Sequence, residues 1–398
     1  MRIAVYLPDI KPEAGGSSSL LKTIQQEILA ASDLKDEYVF LYYGGRNEAL
    51  RKEYNGFVYF NLDFYAPRLS IAQRAKNKLK RKLGICVKEY SKFDALAKDQ
   101  SVDLFWLPAP FMIDVSYPYI YTIWDLGHRT TPFFPEVSRS GWLWEEREAC
   151  YQKMVYKASY IITGNEEGKK EILSNYLVPE KKIRISPFPV ASFCRGNEAA
   201  PSFAVPDEFF FYPAQFWPHK NHIRILEALV ILREKFNLKP VVFFTGSDKG
   251  NKKYIEDKIA EYGLQGQAVM TGFLKDEELK YLYTHARAMI FASLMGPNNM
   301  PPIEGAYLNC PIIITNLDGH KEQLKDAALY FDGYNADDLA AQMKKLLSNS
   351  AARNKIIKKE KVLAKEFEKV NYFSCIRQIV SEFSAIRKTW GAPDCEYQ

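Results

Sequence analysis

The feature that most restricts the fold of this chain is an alternation. Short runs rich in β-branched and aromatic residues stand at Ile3–Leu7, Tyr38–Tyr43, Phe57–Asn61, Val102–Leu107, Tyr119–Ile123, Tyr160–Thr163 and Ile183–Ser186. They take turns with helical patterns such as Leu20–Ala31 and Trp144–Lys157. The alternation then restarts, with runs at Phe209–Tyr212, Val241–Thr245, Ala268–Thr271, Ala288–Ala292, Ile312–Thr315 and Ala328–Phe331. Here the helical patterns are Ile223–Lys235, Tyr254–Tyr262 and Glu277–His285. Apolar strands separated by helices imply crossover connections and a parallel sheet covered on both faces. Between the two halves, Cys194–Pro206 is rich in Pro, Ala and Ser and reads as a linker. The expected architecture is α/β: two doubly wound parallel-sheet domains, 1–195 and 207–370, facing across a cleft. A C-terminal helical segment, within about Ala351–Arg387, is long enough to cross back, and 371–398 is expected to return to the first domain. Ligands of such sheets bind beyond the carboxyl ends of the strands, which makes the cleft the expected site.

Composition narrows the class. A length of 398 residues suits two domains or at most three, and 47% hydrophobic with 26% charged residues excludes wholesale disorder. The six cysteines are scattered, with no CxxC and no Cys/His cluster, so neither a disulfide scaffold nor a zinc module is expected. A net charge of +6 is too small to imply nucleic acid as a partner, and no nucleic-acid motif is present. The N-terminus lacks the basic region and cleavage site of a signal peptide, and no apolar stretch is long enough to span a bilayer. The expected location is cytoplasmic, or peripheral at the inner face of the cell membrane.

Four segments carry chemistry. The loop after the first strand contains Gly15-Gly16-Ser17-Ser18-Ser19 and leads into a helix, where free N–H groups favour an anion. Its spacing is not G-x-G-x-x-G, so the nicotinamide-type fingerprint is missing. Second, Trp124-Asp125-Leu126-Gly127-His128-Arg129 follows an apolar strand and would place a polar cluster at the cleft. There His128 exchanges protons near neutrality, and Asp125 fixes its tautomer or contacts a sugar hydroxyl. Third, Pro213-Ala214-Gln215-Phe216-Trp217-Pro218-His219-Lys220 opens the second half, with Lys220 placed at a helix start to meet phosphate. Fourth, Gly296-Pro297-Asn298-Asn299-Met300-Pro301-Pro302-Ile303-Glu304 joins a strand to a helix whose first turn carries prolines. The dipole at that helix start makes an anion site, and Glu304 stands where a carboxylate can hold vicinal ribose hydroxyls.

The order of these segments, with Phe243-Phe244-Thr245-Gly246 and Thr271-Gly272-Phe273-Leu274 between them, resembles the family-4 type retaining glycosyltransferases of glycosyltransferase group 1. The resemblance covers nearly the whole chain and is densest over about 209–345. It implies the GT-B fold, two Rossmann-like domains, and a nucleotide-diphosphate sugar as donor, with no metal and no other cofactor. In that resemblance Lys220 matches the diphosphate-binding lysine, and Glu304 the second glutamate of a Glu-x7-Glu motif that holds the donor ribose. Asn298, Asn299 and Met300 match the loop whose backbone meets the donor sugar and phosphates. Gly15 and Gly16 match the loop near donor or acceptor, while Gly272, Phe273 and Leu274 match the part touching the base. Gln215 and Gly246 complete the donor side, and Asp125, His128 and Lys220 are the expected catalytic residues. Trp124, Arg129 and Trp217 are expected to contact acceptor or sugar. Three positions depart from the pattern: Gly296 replaces the first glutamate, Ala214/Gln215 the arginine expected before Lys220, and Trp124 the usual histidine before the aspartate.

The implied activity is transfer of a hexosyl group, with retention, to a hydroxyl of a glycan or lipid-linked acceptor in polysaccharide or glycoconjugate biosynthesis. A nucleotide-sugar epimerase, or a catalytically degenerate sugar-nucleotide-binding module on the same fold, is the alternative. A basic stretch, Arg74–Lys88, carries seven positive charges and no acid. Lys78, Lys80, Arg81 and Lys82 suit the surface of an anionic membrane, or else form a solvated face with Leu79, Leu83 and Ile85 on the core; both readings stand.

Overall fold

The structure, a computed structural model, describes residues 1–7, 15–31, 37–45, 47–54, 56–65, 75, 76, 78, 79, 82 and 91–391. Every apolar run named above becomes a strand. In the first half these are β1 (Arg2–Tyr6), β2 (Glu37–Tyr42), β4 (Phe57–Asn61), β5 (Leu104–Leu107), β6 (Tyr119–Thr122), β7 (Tyr160–Thr163) and β8 (Ile183–Ile185). One further strand, β3 (Arg51–Tyr54), pairs antiparallel with β4 at the sheet edge. Its sequence, Arg-Lys-Glu-Tyr, is polar because an edge strand has solvent on one side. The sheet order is β3-β4-β2-β1-β5-β6-β7-β8.

The second sheet holds β9 (Phe209–Pro213), β10 (Val241–Thr245), β11 (Ala268–Gly272), β12 (Ala288–Phe291), β13 (Ile312–Thr315) and β14 (Leu329–Phe331). Its order is β11-β10-β9-β12-β13-β14, parallel throughout. Strand β5 shows why the runs are apolar at every position. Leu104 and Trp106 enter one core and Phe105 and Leu107 another, so both faces of the sheet are covered.

The C-terminal segment crosses back as two helices. Ser350–Glu368 packs on the helix Met300–Tyr307 of the second half. The chain breaks at Asn371, whose side chain accepts from Ser374 N and starts the helix Tyr372–Arg387. That helix lies on the first domain: Phe373 stacks on Trp106 at 6.3 Å, and Arg387 Nε meets Asp103 Oδ1 at 2.6 Å.

Candidate active site

Topology selects the crevice. In the first sheet the chain runs outward from β1 on the β2 side, then restarts on the other side at β5; in the second, β9 lies between β10 and β12 in the same way. At such switch points the loops leaving the central strands diverge and open a pocket. The segments involved follow β1, β9 and β12, and they meet. Gly15 has φ of 71°, and a Cβ there would stand 3.3 Å from the Gln215 side chain across the domain boundary. Gly16 starts the helix Gly16–Ala30 facing Met300. Residues 8–14 of that loop lie outside the described residues.

Lys220 closes a single 3-10 turn, Pro218–Lys220, fixed by Tyr212, whose hydroxyl donates to the Lys220 carbonyl at 2.5 Å. Its ammonium donates to Ser293 Oγ at 3.3 Å and Asn299 Oδ1 at 3.4 Å, and lies 4.9 Å from the Phe291 ring centroid. Among the described residues no carboxylate stands within ion-pair distance of it. Burial pushes the ammonium down to about 8, with Asp125 and Glu136 opposing the shift, so at neutral pH it still carries its charge.

Asn299 precedes the helix Met300–Tyr307. Pro301 and Pro302 have no N–H, and Asn299 N donates to Gln323 Oε1 at 3.2 Å, which leaves Met300 as the free backbone donor of that first turn. Positive potential here therefore rests on one N–H, the helix dipole and Lys220. Glu304, one turn on, is buried, and the Tyr283 hydroxyl donates to its Oε2 at 2.7 Å. Burial raises the Glu304 carboxyl to about 7, with the Tyr283 hydrogen bond working against it. Gly296 has φ of 104°, where a side chain is strained, and a Cβ would lie 3.1 Å from Asn299 Nδ2. The backbone itself is thus unsuited to the glutamate that the resemblance would place there.

The loops after β10 and β11 join the site from the other side. Gly246 N donates to Gly272 O at 2.9 Å, and a Cβ on Gly246 would collide with the Ala214 carbonyl at 2.5 Å. Phe273 is exposed and Leu274 packs on the core. Gln215 Nε2 donates to Ser247 Oγ at 3.0 Å and its Oε1 accepts from Trp217 Nε1 at 3.1 Å. Lys249 lies 5.8 Å from the Trp217 ring centroid.

The first-domain wall is a charged network. Asp125 Oδ1 accepts from Arg147 Nη2 at 2.5 Å and Gly127 N at 2.8 Å. Burial works to raise its carboxyl, but the Arg147 guanidinium outweighs that and holds it below the ordinary range. Glu148 takes His128 Nε2 at 2.9 Å on one oxygen and Arg129 Nη2 at 2.5 Å on the other. Trp124 is part-buried, with a buried indole N–H that has no hydrogen-bond partner among the described residues. Glu136 bridges the domains: its Oε1 accepts from His219 N at 3.1 Å and meets His219 Nδ1. Asn165 Nδ2 donates to Pro297 O at 2.7 Å, and Glu322 receives the N–H groups of Glu166 and Glu167 at 2.8 and 3.0 Å. A carboxylate of the second domain thereby caps a helix, Glu166–Asn175, of the first.

Residues 197–362 match the family model of the glycosyl transferases group 1. Over that stretch the chain is similar to that family. It is 22% identical over 290 residues to an uncharacterized glycosyltransferase of Methanocaldococcus jannaschii, covering 69% of this chain and 71% of the relative. It is 21% identical over 275 residues to O-antigen chain mannosyltransferase B of Escherichia coli, covering 67% and 70%. Sucrose-phosphate synthase from Thermosynechococcus elongatus superposes with a TM-score of 0.69 at 15% identity, over 98% of this chain and all of that one. At that identity the likeness shows the fold, which is GT-B.

The structure gathers most of the expected donor residues around one crevice: Gly15, Gly16, Gln215, Lys220, Asn299, Met300 and Glu304 stand on the three converging segments. Asn298 is drawn aside, its Oδ1 bonded to Gln323 Nε2. The polar cluster after β6 departs from expectation. Asp125 and Arg129 stay partly exposed, Arg129 covering Tyr176, whereas His128 is fully buried and stacked on Tyr151. The short helix Gly127–Thr130 turns both side chains toward Glu148, so they serve the first domain rather than the cleft. Lys78 and Lys82 are exposed, as is Leu79, while Lys80 and Arg81 lie outside the described residues. Sequence reasoning missed Glu136, Arg147, Tyr283, Ser293 and His320, which have no motif of their own. Among the described residues no helix is long and apolar enough to cross a membrane.

Proposed function

We propose that this glycosyltransferase moves a hexosyl group, with retention, from a nucleotide-diphosphate sugar to a hydroxyl of a glycan or lipid-linked acceptor, without a divalent cation. The observation that carries this reading is Lys220: a charged ammonium facing neutral oxygens at the switch-point crevice, beside a helix N-terminus. During transfer the bond from the sugar C1 to the diphosphate oxygen breaks and a bond to the acceptor oxygen forms on the same face. The acceptor proton leaves with the diphosphate. Negative charge grows on the departing oxygens, where Lys220 and the Met300 N–H stabilise it, and such preorganised charge is the largest catalytic term in most enzymes. Glu304 would hold the ribose hydroxyls, Gly272–Leu274 would meet the base, and Asp125 would face the sugar or acceptor. The likeness to an O-antigen mannosyltransferase favours a mannosyl donor and a polysaccharide acceptor.

A ligand that binds only the native state raises the melting temperature, more so the tighter it binds. A thermal-shift panel of GDP-mannose, UDP-glucose and other nucleotide sugars, each with and without EDTA, is expected to give one donor class that stabilises the protein regardless of chelator. A panel without any stabilising nucleotide sugar would sink the reading. Stabilisation that vanishes with EDTA would sink its metal-free part.

A further inference from the structure

Lys220 is held by two oxygens, and the orientation of one of them depends on a side chain that none of the roles above uses. His320, on the helix Asp318–Leu324, is fully buried, with Nε2 3.1 Å from Asn299 Nδ2. Its Nδ1 lies 3.0 Å from Thr315 Oγ1 and 3.1 Å from the Thr315 carbonyl. Following the donors locates the ring proton. Thr315 Oγ1 donates its hydrogen to the Ser293 carbonyl at 2.7 Å, so it offers His320 only lone pairs, and a carbonyl also only accepts. The hydrogen must therefore sit on Nδ1. Burial, opposed by the Thr315 carbonyl and reinforced by the charge of Lys220, holds the ring pKa down to about 4. The ring is neutral at pH 7 and its Nε2 is bare.

A bare Nε2 accepts from the Asn299 amide nitrogen. The same NH2 reaches the Gly296 carbonyl at 3.3 Å, a second group that can only accept. With both neighbours of the nitrogen accepting, the amide has one orientation, and its oxygen faces the Lys220 ammonium at 3.4 Å. A hydrogen on Nε2 would require the amide to invert, bringing NH2 against the ammonium and an oxygen against the Gly296 carbonyl. We propose that His320, as its Nδ1–H tautomer, is a positioning residue for donor binding: it locks Asn299 so that Oδ1 receives and aims Lys220. Gly296 belongs to the same device, because its missing Cβ leaves room for the Asn299 amide. The proposal rests on the reading of Lys220 as the diphosphate-binding group.

Two measurements test it. The first reads the tautomer in the unaltered protein, by 15N spectra of histidine-labelled chain at pH 7, with His320 assigned through the signal lost in His320→Gln; five histidines make this tractable. Protonated Nδ1 with bare Nε2 is expected, and an Nε2–H tautomer or an imidazolium overturns the proposal. The second is calorimetric binding of GDP and UDP to three variants whose melting is followed in parallel. His320→Leu is expected to weaken the nucleotide that binds about tenfold, as loss of a hydrogen bond serving a charged group implies. His320→Gln, which can place an accepting oxygen near the same nitrogen, is expected to recover most of that loss. If His320→Leu binds like the parent while Lys220→Ala binds weakly, the positioning role falls and the reading of Lys220 survives. If Lys220→Ala also binds normally, both fall.

Discussion

Two charged groups of residues flank the crevice, and they are built on opposite plans. On the first-domain wall the charges come in opposite pairs: Arg147 meets Asp125, and Arg129 meets Glu148, which also takes the neutral ring of His128. On the second-domain wall the polar partners of Lys220 among the described residues are a hydroxyl and an amide oxygen. Paired buried charges satisfy one another and hold a shape; removing one member strands the other. A charge left among neutral oxygens costs stability in the free protein and keeps its field for an arriving anion. The contrast separates residues that build the site from residues that act in it.

The sharpest way to break the comparison is to remove each kind of charge. Lys220→Ala is expected to lower kcat/KM for the donor found in the panel by about 10²-fold or more, the usual cost of deleting one transition-state donor. Its melting temperature should stay level or rise, since the deleted charge has no ion-pair partner among the described residues. An activity loss that merely tracks unfolding would erase the distinction between the two walls.

Glu148→Gln should do the reverse. Stranding the Arg129 charge and leaving the His128 ring without its acceptor is expected to cost about 3 kcal/mol of stability, while activity per folded molecule changes only a few-fold. Acid unfolding gives the sign independently. Burial works to raise the Glu148 carboxyl, but Arg129, Gln152 and His128 outweigh it and hold the group down to about 2. A carboxyl depressed in the folded state stabilises above its ordinary pKa of 4.5, and that stability drains away as pH falls from there toward 2. The variant should lose this part of the acid limb in a denaturant midpoint measured against pH. An unchanged limb would show that Glu148 is not the group responsible.

The same contrast explains what could be read before the structure was seen. The sheets were legible because strands buried on both faces must be apolar at every position, as Phe209–Tyr212 and Ile312–Thr315 are. Strand β3 was not, because Arg51–Tyr54 sits at an edge and carries polar residues. Lys220 and Glu304 stood out in the sequence because each lies within or just after a stretch whose Pro, Gly and Asn residues announce a special backbone. His128 was placed wrongly in space: proximity to Asp125 in sequence suggested a shared face, but its partner, Glu148, comes from a helix 20 residues later. His320 left no signal at all. Its importance depends on two hydrogen atoms, on Thr315 and Asn299, whose directions only the folded chain determines.

Glu304 stands between the two plans, since among the described residues its carboxyl has one neutral partner, Tyr283, and no cation. Burial raises it to about 7, with the hydrogen bond from Tyr283 as the chief restraint. Vicinal hydroxyls donate well to a carboxylate and poorly to a carboxylic acid, whose own hydrogen must go elsewhere. Donor affinity should therefore strengthen as pH rises through about 7, over a range in which Lys220, near 8, still keeps much of its charge. Glu304→Gln should flatten that rise and weaken the donor by about tenfold at pH 8, as for one charge-assisted hydrogen bond. Because Lys220 is half discharged at about pH 8 and loses the rest of its charge above it, the parent profile should be bell-shaped and the Gln variant should keep only the falling alkaline side. A Gln variant that retains the acid side would assign the rising limb to another group and place Glu304 with the residues that only hold the fold.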